Sequence, residues 1–335
     1  MQTDAGPKRY AALIARFSSQ RVLVIGDLML DEFIWGKVTR ISPEAPVPVV
    51  EVVGESYYPG GAANVARNLR EFTAHTSLMG LVGTDSQGQR LCSLLRASGI
   101  DTTGVQQDAG CATTVKTRII ARNQQVVRVD RERPGPLTPR QMALANTYLA
   151  TGIGQVDGIV VADYGKGFLN QDLAGYIGGR ARDQGKVLTV DPHPRAPLSW
   201  RGATAIKPNR TEAFSAAGMA LSAPVVPVTG DRALLEAGRK LLGAWDTASL
   251  LVTLGEHGML LFHGDGPPYH TPTRAQEVFD VSGAGDTAIA VFTLGLLAGA
   301  TPYEAAELAN RASGIVVGKL GTATVSPAEL EASFG

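Results

Sequence analysis

Cysteine is nearly missing from this chain. Cys92 and Cys111 are the only two in 335 residues, and they form no CxxC pair. Nothing therefore suggests a disulfide framework or a cysteine-built zinc site, and a reducing cytoplasm is the expected setting. Histidine is almost as scarce: the five present form no HxH or HExxH arrangement, which argues against a histidine metal centre. Net charge is absent too, since Lys plus Arg (31) equals Asp plus Glu (31). That disfavours a protein that coats nucleic acid, while leaving room for a local basic pocket. No apolar run reaches the roughly 18 residues that a membrane span needs, and no basic region followed by an apolar stretch marks a signal peptide. The remaining composition, 44% hydrophobic and 19% charged, is that of an ordinary globular protein. The length suits one large α/β domain or two small ones.

The most informative stretch present is Asp280-Val281-Ser282-Gly283-Ala284-Gly285-Asp286-Thr287, a Gly-x-Gly-Asp at the entrance to the apolar segment Ala288 to Leu297. Gly283 and Gly285 permit a tight turn. A helix starting there presents unpaired N–H groups and partial positive charge, which together favour phosphate. A carboxylate inside an anion site is costly unless it acts, and Asp286 is placed to take a proton from a hydroxyl attacking a phosphoryl group. The plainer reading is that Asp286 caps the helix.

Along the chain, Tyr10, Leu13, Ile14 and Phe17 recur at helical spacing. Arg21 to Asp27 reads as a buried parallel strand, but no GxGxxG follows it. Glu32 to Lys37 and Val47 to Tyr58 are β-rich and punctuated by Pro43, Pro46 and Pro48, which suits strands outside the main sheet. Thr113 to Ala121 and Val126 to Asp130 flank Arg122-Asn123-Gln124-Gln125 as a hairpin would. These two excursions predict one small β-sheet projecting from the body, with strands over about 32–58 and 113–131. Between them, Gly60-Gly61-Ala62-Ala63-Asn64 opens a helix with residues small enough for a ligand to approach the backbone, or for tight helix packing. A strand over Ser77–Val82 and a helix over Ser86–Ser98 follow. From 138 onward, strands at Gly158–Ala162, Val187–Val190, Ala203–Ile206, Leu250–Thr253 and Met259–Phe262 alternate with helices near 138–150, 170–184, 211–217, 231–243, 284–298, 302–319 and 327–333. That rhythm predicts a doubly wound, mainly parallel sheet covered on both faces. With no repeat or linker in sight, residues 1–335 read as a single domain carrying a small β-sheet lid.

Ligands in such sheets bind beyond the carboxyl ends of the strands. Polar residues and glycines gather there: Gly26-Asp27, Asp163-Tyr164-Gly165-Lys166-Gly167, Asp191-Pro192-His193, Lys207 to Glu212, and Thr253 to Gly258. Asn209 and Glu212, three apart at a helix start, suit a Mg²⁺ that keeps much of its water, or else a helix cap. Gly255 and Gly258 could let a nucleotide lie against the backbone, or could simply form a turn.

In this order, Gly60-Gly61-Ala62-Ala63-Asn64, Asn209-x-x-Glu212, Thr253-Leu254-Gly255-x-x-Gly258 and Gly283-Ala284-Gly285-Asp286 resemble the ribokinase-like (PfkB) carbohydrate kinases over nearly the whole chain. The resemblance implies a ribokinase-like α/β fold with a β-sheet lid, and ATP-dependent phosphorylation of a sugar hydroxyl with Mg²⁺. A monovalent cation is compatible with it. Ile41 to Val49, Arg128 to Glu132 and Asp163 to Gly167 are further similar to the D-glycero-β-D-manno-heptose 7-phosphate kinases of bacterial ADP-heptose and lipopolysaccharide synthesis, in their stand-alone form. His193 departs from the lysine expected there, and any fixed charge at that position is in doubt.

By this resemblance Asp286 is the base, ionised at neutral pH if its pKa is the ordinary value near 4. The Gly283-Ala284-Gly285 backbone would stabilise the transferring phosphoryl group. ATP would meet Asn209, Arg210, Thr211, Glu212, Thr253, Gly255 and Gly258, with Asn209 and Glu212 organising Mg²⁺ through water. The sugar would meet Asp27, Gly60, Gly61 and Asn64, and its phosphate would meet some of Arg118, Arg128 and Lys166. The valines of the lid strands predict a homodimer clasped through the lid, with no nucleic-acid or membrane partner. The alternatives are a kinase for another sugar or a silent nucleotide-binding protein on the same fold.

Overall fold

The structure, a computed structural model, describes residues 6–122, 124–193, 198–275, 278–319 and 321–335. The chain enters through α1 (Pro7–Ala15) and β1 (Val22–Gly26), then runs out along β2 (Leu28–Ile41) and back along β3 (Pro48–Gly61). It continues through α2 (Ala62–Arg70), β4 (Thr76–Gly83), α3 (Ser86–Ala97) and β5 (Asp101–Asp108) before a second excursion, β6 (Thr114–Ala121) and β7 (Gln124–Arg131). Then come α4 (Pro139–Gly152), β8 (Gly158–Ala162), α5 (Gln171–Asp183), β9 (Val187–Asp191), β10 (Ala205–Ile206), α6 (Arg210–Ala216) and α7 (Arg232–Ala244). The last elements are β11 (Ser249–Thr253), β12 (Met259–His263), β13 (Tyr269–Thr271), α8 (Ala284–Leu297), α9 (Pro302–Val317) and α10 (Pro327–Ala332).

Nine strands form the main sheet in the order β13-β12-β11-β10-β9-β8-β1-β4-β5. From β11 through β5 every pairing is parallel; β12 and β13 join antiparallel at one edge. Alternation along β1 explains the two layers. Val22 and Val24 enter one hydrophobic cluster with α1, α2, α8 and α9, while Leu23 and Ile25 enter the other with α4, α5 and α7. A strand buried on both faces must be apolar throughout, and β1 is.

The two excursions build one four-stranded sheet, β3-β2-β6-β7, as the sequence predicts. Its strands run longer than expected, β2 and β3 covering 14 residues each. Met29 to Trp35 of β2 pair in parallel with Thr114 to Ile120 of β6. The hairpin turn is also tighter than the four residues anticipated. Ala121 pairs directly with Gln124 and Arg122 adopts φ 51°, while Asn123 lies outside the described residues. This sheet rises from the carboxyl end of β1 and so overhangs the strand ends where ligands are expected.

Candidate active site

Helix α8 begins where the sequence places the phosphate turn. Gly283 has φ 82°, a left-handed conformation that a side chain would strain, and a Cβ there would also lie 2.8 Å from the Asn64 amide. The first intrahelical bond runs from Thr287 N to Gly283 O (3.0 Å), so Gly285 and Asp286 precede the helical ladder. Asp286 does not cap the helix. Its carboxylate accepts from Asn64 Nδ2 (2.6 Å, at Oδ2) and from the Tyr164 hydroxyl at Oδ1. Burial pushes its pKa up to about 6, against the lowering effect of those two hydrogen bonds; Asp191 raises it further and Lys207 opposes. The ordinary value expected from sequence is thus corrected: this carboxyl is poised near neutrality.

Asp286 opens onto a cleft of about 370 Å³ under the lid, whose walls include Asp31, Gly61, Asn64, Lys116, Arg118, Lys207 and Glu212. The charges alternate in sign. Arg118 pairs with Asp31 and lies over the Phe33 ring. Lys207 Nζ bonds Asp191 Oδ2 (3.0 Å) and stands 3.4 Å from where a Cβ on Gly285 would be, so an ammonium reinforces the α8 N-terminus. Burial lowers the pKa of Lys116 and raises those of Asp191 and Glu212. Asn64 Oδ1 is buried beside Asp286 with no hydrogen-bond partner, an acceptor that a ligand hydroxyl would satisfy.

Several residues expected at the substrate lie elsewhere. Asp27 is 2% exposed, and its carboxylate is consumed by the backbone N–H groups of Tyr164 (2.9 Å), Lys166 (3.0 Å) and Phe168 (3.1 Å). It organises a loop, and Asp31 lines the cleft instead. Gly61 lines the cleft but Gly60 does not; a Cβ on Gly60 would strike the Asp31 carboxylate at 2.2 Å. Arg128 stands opposite Arg118 in register but is held by Asp130 (2.9 Å) and stays largely exposed. Lys166 pairs with Glu132 (2.6 Å) and lines a separate pocket of about 300 Å³ with Arg133. Arg210 points to Asp231 (2.8 Å) and covers Phe214, and Thr211 is exposed and lines neither the cleft nor the cavity beside Gly255 and Gly258. His193 packs its ring on Gly165, where a Cβ would meet it at 2.7 Å.

A second cavity, about 700 Å³ and more apolar, adjoins the cleft and shares Asn209, Thr253 and Gly285 with it. Gly255, Gly258, Ala284, Val278 and Val281 contribute to its walls. Asn209 and Glu212 form a reciprocal capping box: Asn209 Oδ1 accepts from Glu212 N (2.9 Å) and Glu212 Oε2 from Asn209 N (2.7 Å). The capping reading therefore holds; it engages Glu212 Oε2, and Glu212 also lines the cleft. Among the described residues no group of three or more His, Cys, Asp or Glu converges on a point. All-oxygen donors without a cage fit a hydrated Mg²⁺ held mainly by nucleotide phosphates.

Tyr164, Asp31, Asp191 and Lys207 also line this site, and the sequence by itself does not mark them as site residues; Lys116 lines it from the lid strand β6. Tyr164, Asp191 and Lys207 sit in the strand-end loops where the sequence gathers polar residues and glycines. Asp31 carries a subtler signal, its spacing of two from Phe33 along β2, which puts both on one face of the strand.

The pfkB family carbohydrate kinase pattern matches residues 19–329. This chain belongs to that family. It is 46% identical over 327 residues to a protein from Magnetococcus marinus named bifunctional protein HldE, covering 96% of this chain and 66% of that one. A bifunctional protein HldE from Geobacter sulfurreducens is 43% identical over 328 residues, with 98% and 66% covered. The kinase chain thus spans just under two thirds of the length of these relatives. In fold it is similar to Arabidopsis thaliana ribokinase complexed with ribose and ATP (TM-score 0.72, 16% identity, 94% and 98% of the chains). It is likewise similar to Escherichia coli phosphofructokinase-2 in complex with substrates and products (TM-score 0.74, 18% identity, 94% and 98%). The ribokinase-like α/β fold is thereby established for this carbohydrate kinase. Among the described residues, no helix is long and apolar enough to cross a membrane.

Proposed function

We propose that this kinase transfers the γ-phosphoryl group of ATP to the anomeric hydroxyl of D-glycero-β-D-manno-heptose 7-phosphate, giving the 1,7-bisphosphate used in ADP-heptose synthesis in the bacterial cytoplasm. The observation that carries the reading is Asp286. It is a buried carboxylate at a helix N-terminus that lines the polar cleft, next to Gly285, which lines both that cleft and the apolar cavity. The sugar would occupy the lid-side cleft, with hydroxyls on Asp31 and Asn64. ATP would lie in the cavity by Gly255 and Gly258, its phosphates directed at Gly283 to Asp286 and Lys207. Asp286 accepts the hydroxyl proton, the sugar oxygen bonds to the γ-phosphorus, and the bond to the β–γ bridging oxygen breaks, its electron pair leaving on ADP. Mg²⁺, when bound, neutralises phosphate charge, and Glu212 and Asn209 would hold it through water.

The 7-phosphate needs a cation. Arg118 and Lys116 already line the cleft, and Lys166, on the loop that Asp27 pins, lines a separate pocket with Arg133. The heptose assignment draws on the Asp163 to Gly167 and Ile41 to Val49 segments and on the similarity to the HldE proteins. Coupled ATP-consumption assays with the purified chain decide it. Heptose 7-phosphate should turn over at least tenfold better in kcat/KM than ribose or fructose 6-phosphate. Preference for another acceptor would leave a sugar kinase of different specificity, and ATP consumption with none of them would sink the assignment. We further propose a homodimer clasped through the lid, because Val52, Val53, Val126, Val127 and Val129 leave apolar surface in water.

A further inference from the structure

Tyr164 touches the base yet takes no part in the chemistry just described. Its hydroxyl donates to Asp286 Oδ1, while Asn64 Nδ2 donates to Oδ2 from helix α2. The tyrosine is delivered by the loop after β8, which is fixed by three backbone N–H bonds to Asp27 and a fourth from Gly165 N to Asp163 Oδ1 (2.9 Å). We infer that Tyr164 is a positioning residue for the base: its hydroxyl, held in place by the Asp27-pinned loop, fixes the rotation of the Asp286 carboxylate so that a free lone pair faces the acceptor hydroxyl. This rests on the reading of Asp286 as the base.

The physical case is one of geometry and charge. A carboxylate rotates softly about its terminal torsion, and each oxygen can accept two hydrogen bonds. One donor on each oxygen, from two different elements, removes that freedom and still leaves acceptor capacity on both. A phenol suits the task better than an ammonium would, since it holds the carboxylate without an opposing full charge that would suppress its basicity. Burial and the Asp286 charge push the Tyr164 pKa well up, so it donates a hydrogen bond rather than a proton. The charged groups that also face Asp286 are Lys207 with Asp191, Glu212 on α6, and Asp31, Arg118 and Lys116 from the lid. Asp163, itself pushed up to about 6 by burial, lies next in sequence to Tyr164.

The test is Tyr164→Phe, which keeps the ring. Its kcat should fall about tenfold, the worth of one hydrogen bond to a charged group. The KM values should stay within about twofold, and the acidic limb of the rate profile should move up by roughly one pH unit, because a donor that favours the ionised base has gone. A merely structural role would lower the melting temperature or raise KM and leave the limb in place; that result overturns the inference. A wild-type measurement guards against misfolding of the variant. With ¹³Cζ-tyrosine, the Tyr164 resonance should titrate with an apparent pKa near 6, and this titration should vanish in Asp286→Asn, which leaves Asp163 intact. Persistence of the titration in Asp286→Asn counts against the Tyr164 role. The two readings fail separately: an inactive Asp286→Asn with an unmoved Tyr164→Phe limb removes only the Tyr164 role, whereas a near-normal Asp286→Asn removes the base and this inference with it.

Discussion

Asp286 is a residue whose usefulness comes from an unfavourable place. Burial raises its carboxyl to about 6 against two hydrogen bonds that pull the other way. Asp286→Asn should reduce kcat by about 10²–10⁴, the usual cost of a lost general base, while nucleotide affinity persists; near-wild-type turnover excludes the role. Because the base must be ionised, kcat/KM should fall on acidification with a midpoint near pH 6, and a profile flat to pH 4.5 contradicts that. The stability consequence has the opposite sign. A carboxyl whose folded pKa lies above its unfolded one favours the fold below the unfolded value and loses that contribution as pH rises through the folded value. Asp286 and Asp163 both lose theirs as pH climbs from about 4 to about 6. Asp286→Asn should therefore melt at or above the wild-type temperature at pH 8, by calorimetry, even though it is inactive.

At the scale of elements, the lid sheet presents two kinds of surface on one set of strands. Asp31, Lys116 and Arg118 turn to the cleft, while valines of β3 and β7 remain exposed. Replacing Val53 and Val127 by Glu should yield monomers by analytical ultracentrifugation and raise the sugar-phosphate KM severalfold. A wild-type monomer at micromolar concentration refutes the clasp. Much of this element pattern could be read from the sequence: β8 runs over the residues anticipated, and α4 to α10 begin and end within about two of theirs. The edge strands escaped notice for a physical reason. Asp101–Asp108 is polar almost throughout and Tyr269–Thr271 is three residues long, so neither leaves an apolar run or alternation. At the site, local signals located the Gly283 to Asp286 turn and the Asn209–Glu212 pair. Which way Asp27, Lys166 or Arg210 points depends on partners distant in sequence, the loop after β8 for Asp27, Glu132 for Lys166 and Asp231 for Arg210, and single-sequence patterning carries no record of those.

For the whole molecule, the site is a seam. The main sheet supplies Asp191, Lys207 and Thr253, the lid supplies Asp31 and Arg118, and α8 closes the junction. A ligand that spans a seam stabilises both sides. Heptose 7-phosphate at 100 times its Kd should contribute about 2.7 kcal/mol, raising the melting temperature by several degrees, and the same sugar without its phosphate should do markedly less. Equal shifts would remove the phosphate from recognition. Helix α8, which anchors the seam, is buried without interruption from Asp286 to Gly295. Most helices tolerate exchange on their outward side, so a map of permitted substitutions shows a gap every three or four residues. Here every position faces something: Thr287 bonds Asn68 (2.7 Å), Thr293 bonds Thr189 (2.6 Å), and a Cβ on Gly295 would press on Ala305 at 3.1 Å. A saturation library across α8 should therefore return one unbroken block of intolerance, in which loss of soluble protein and loss of catalysis are separable only at its first turn.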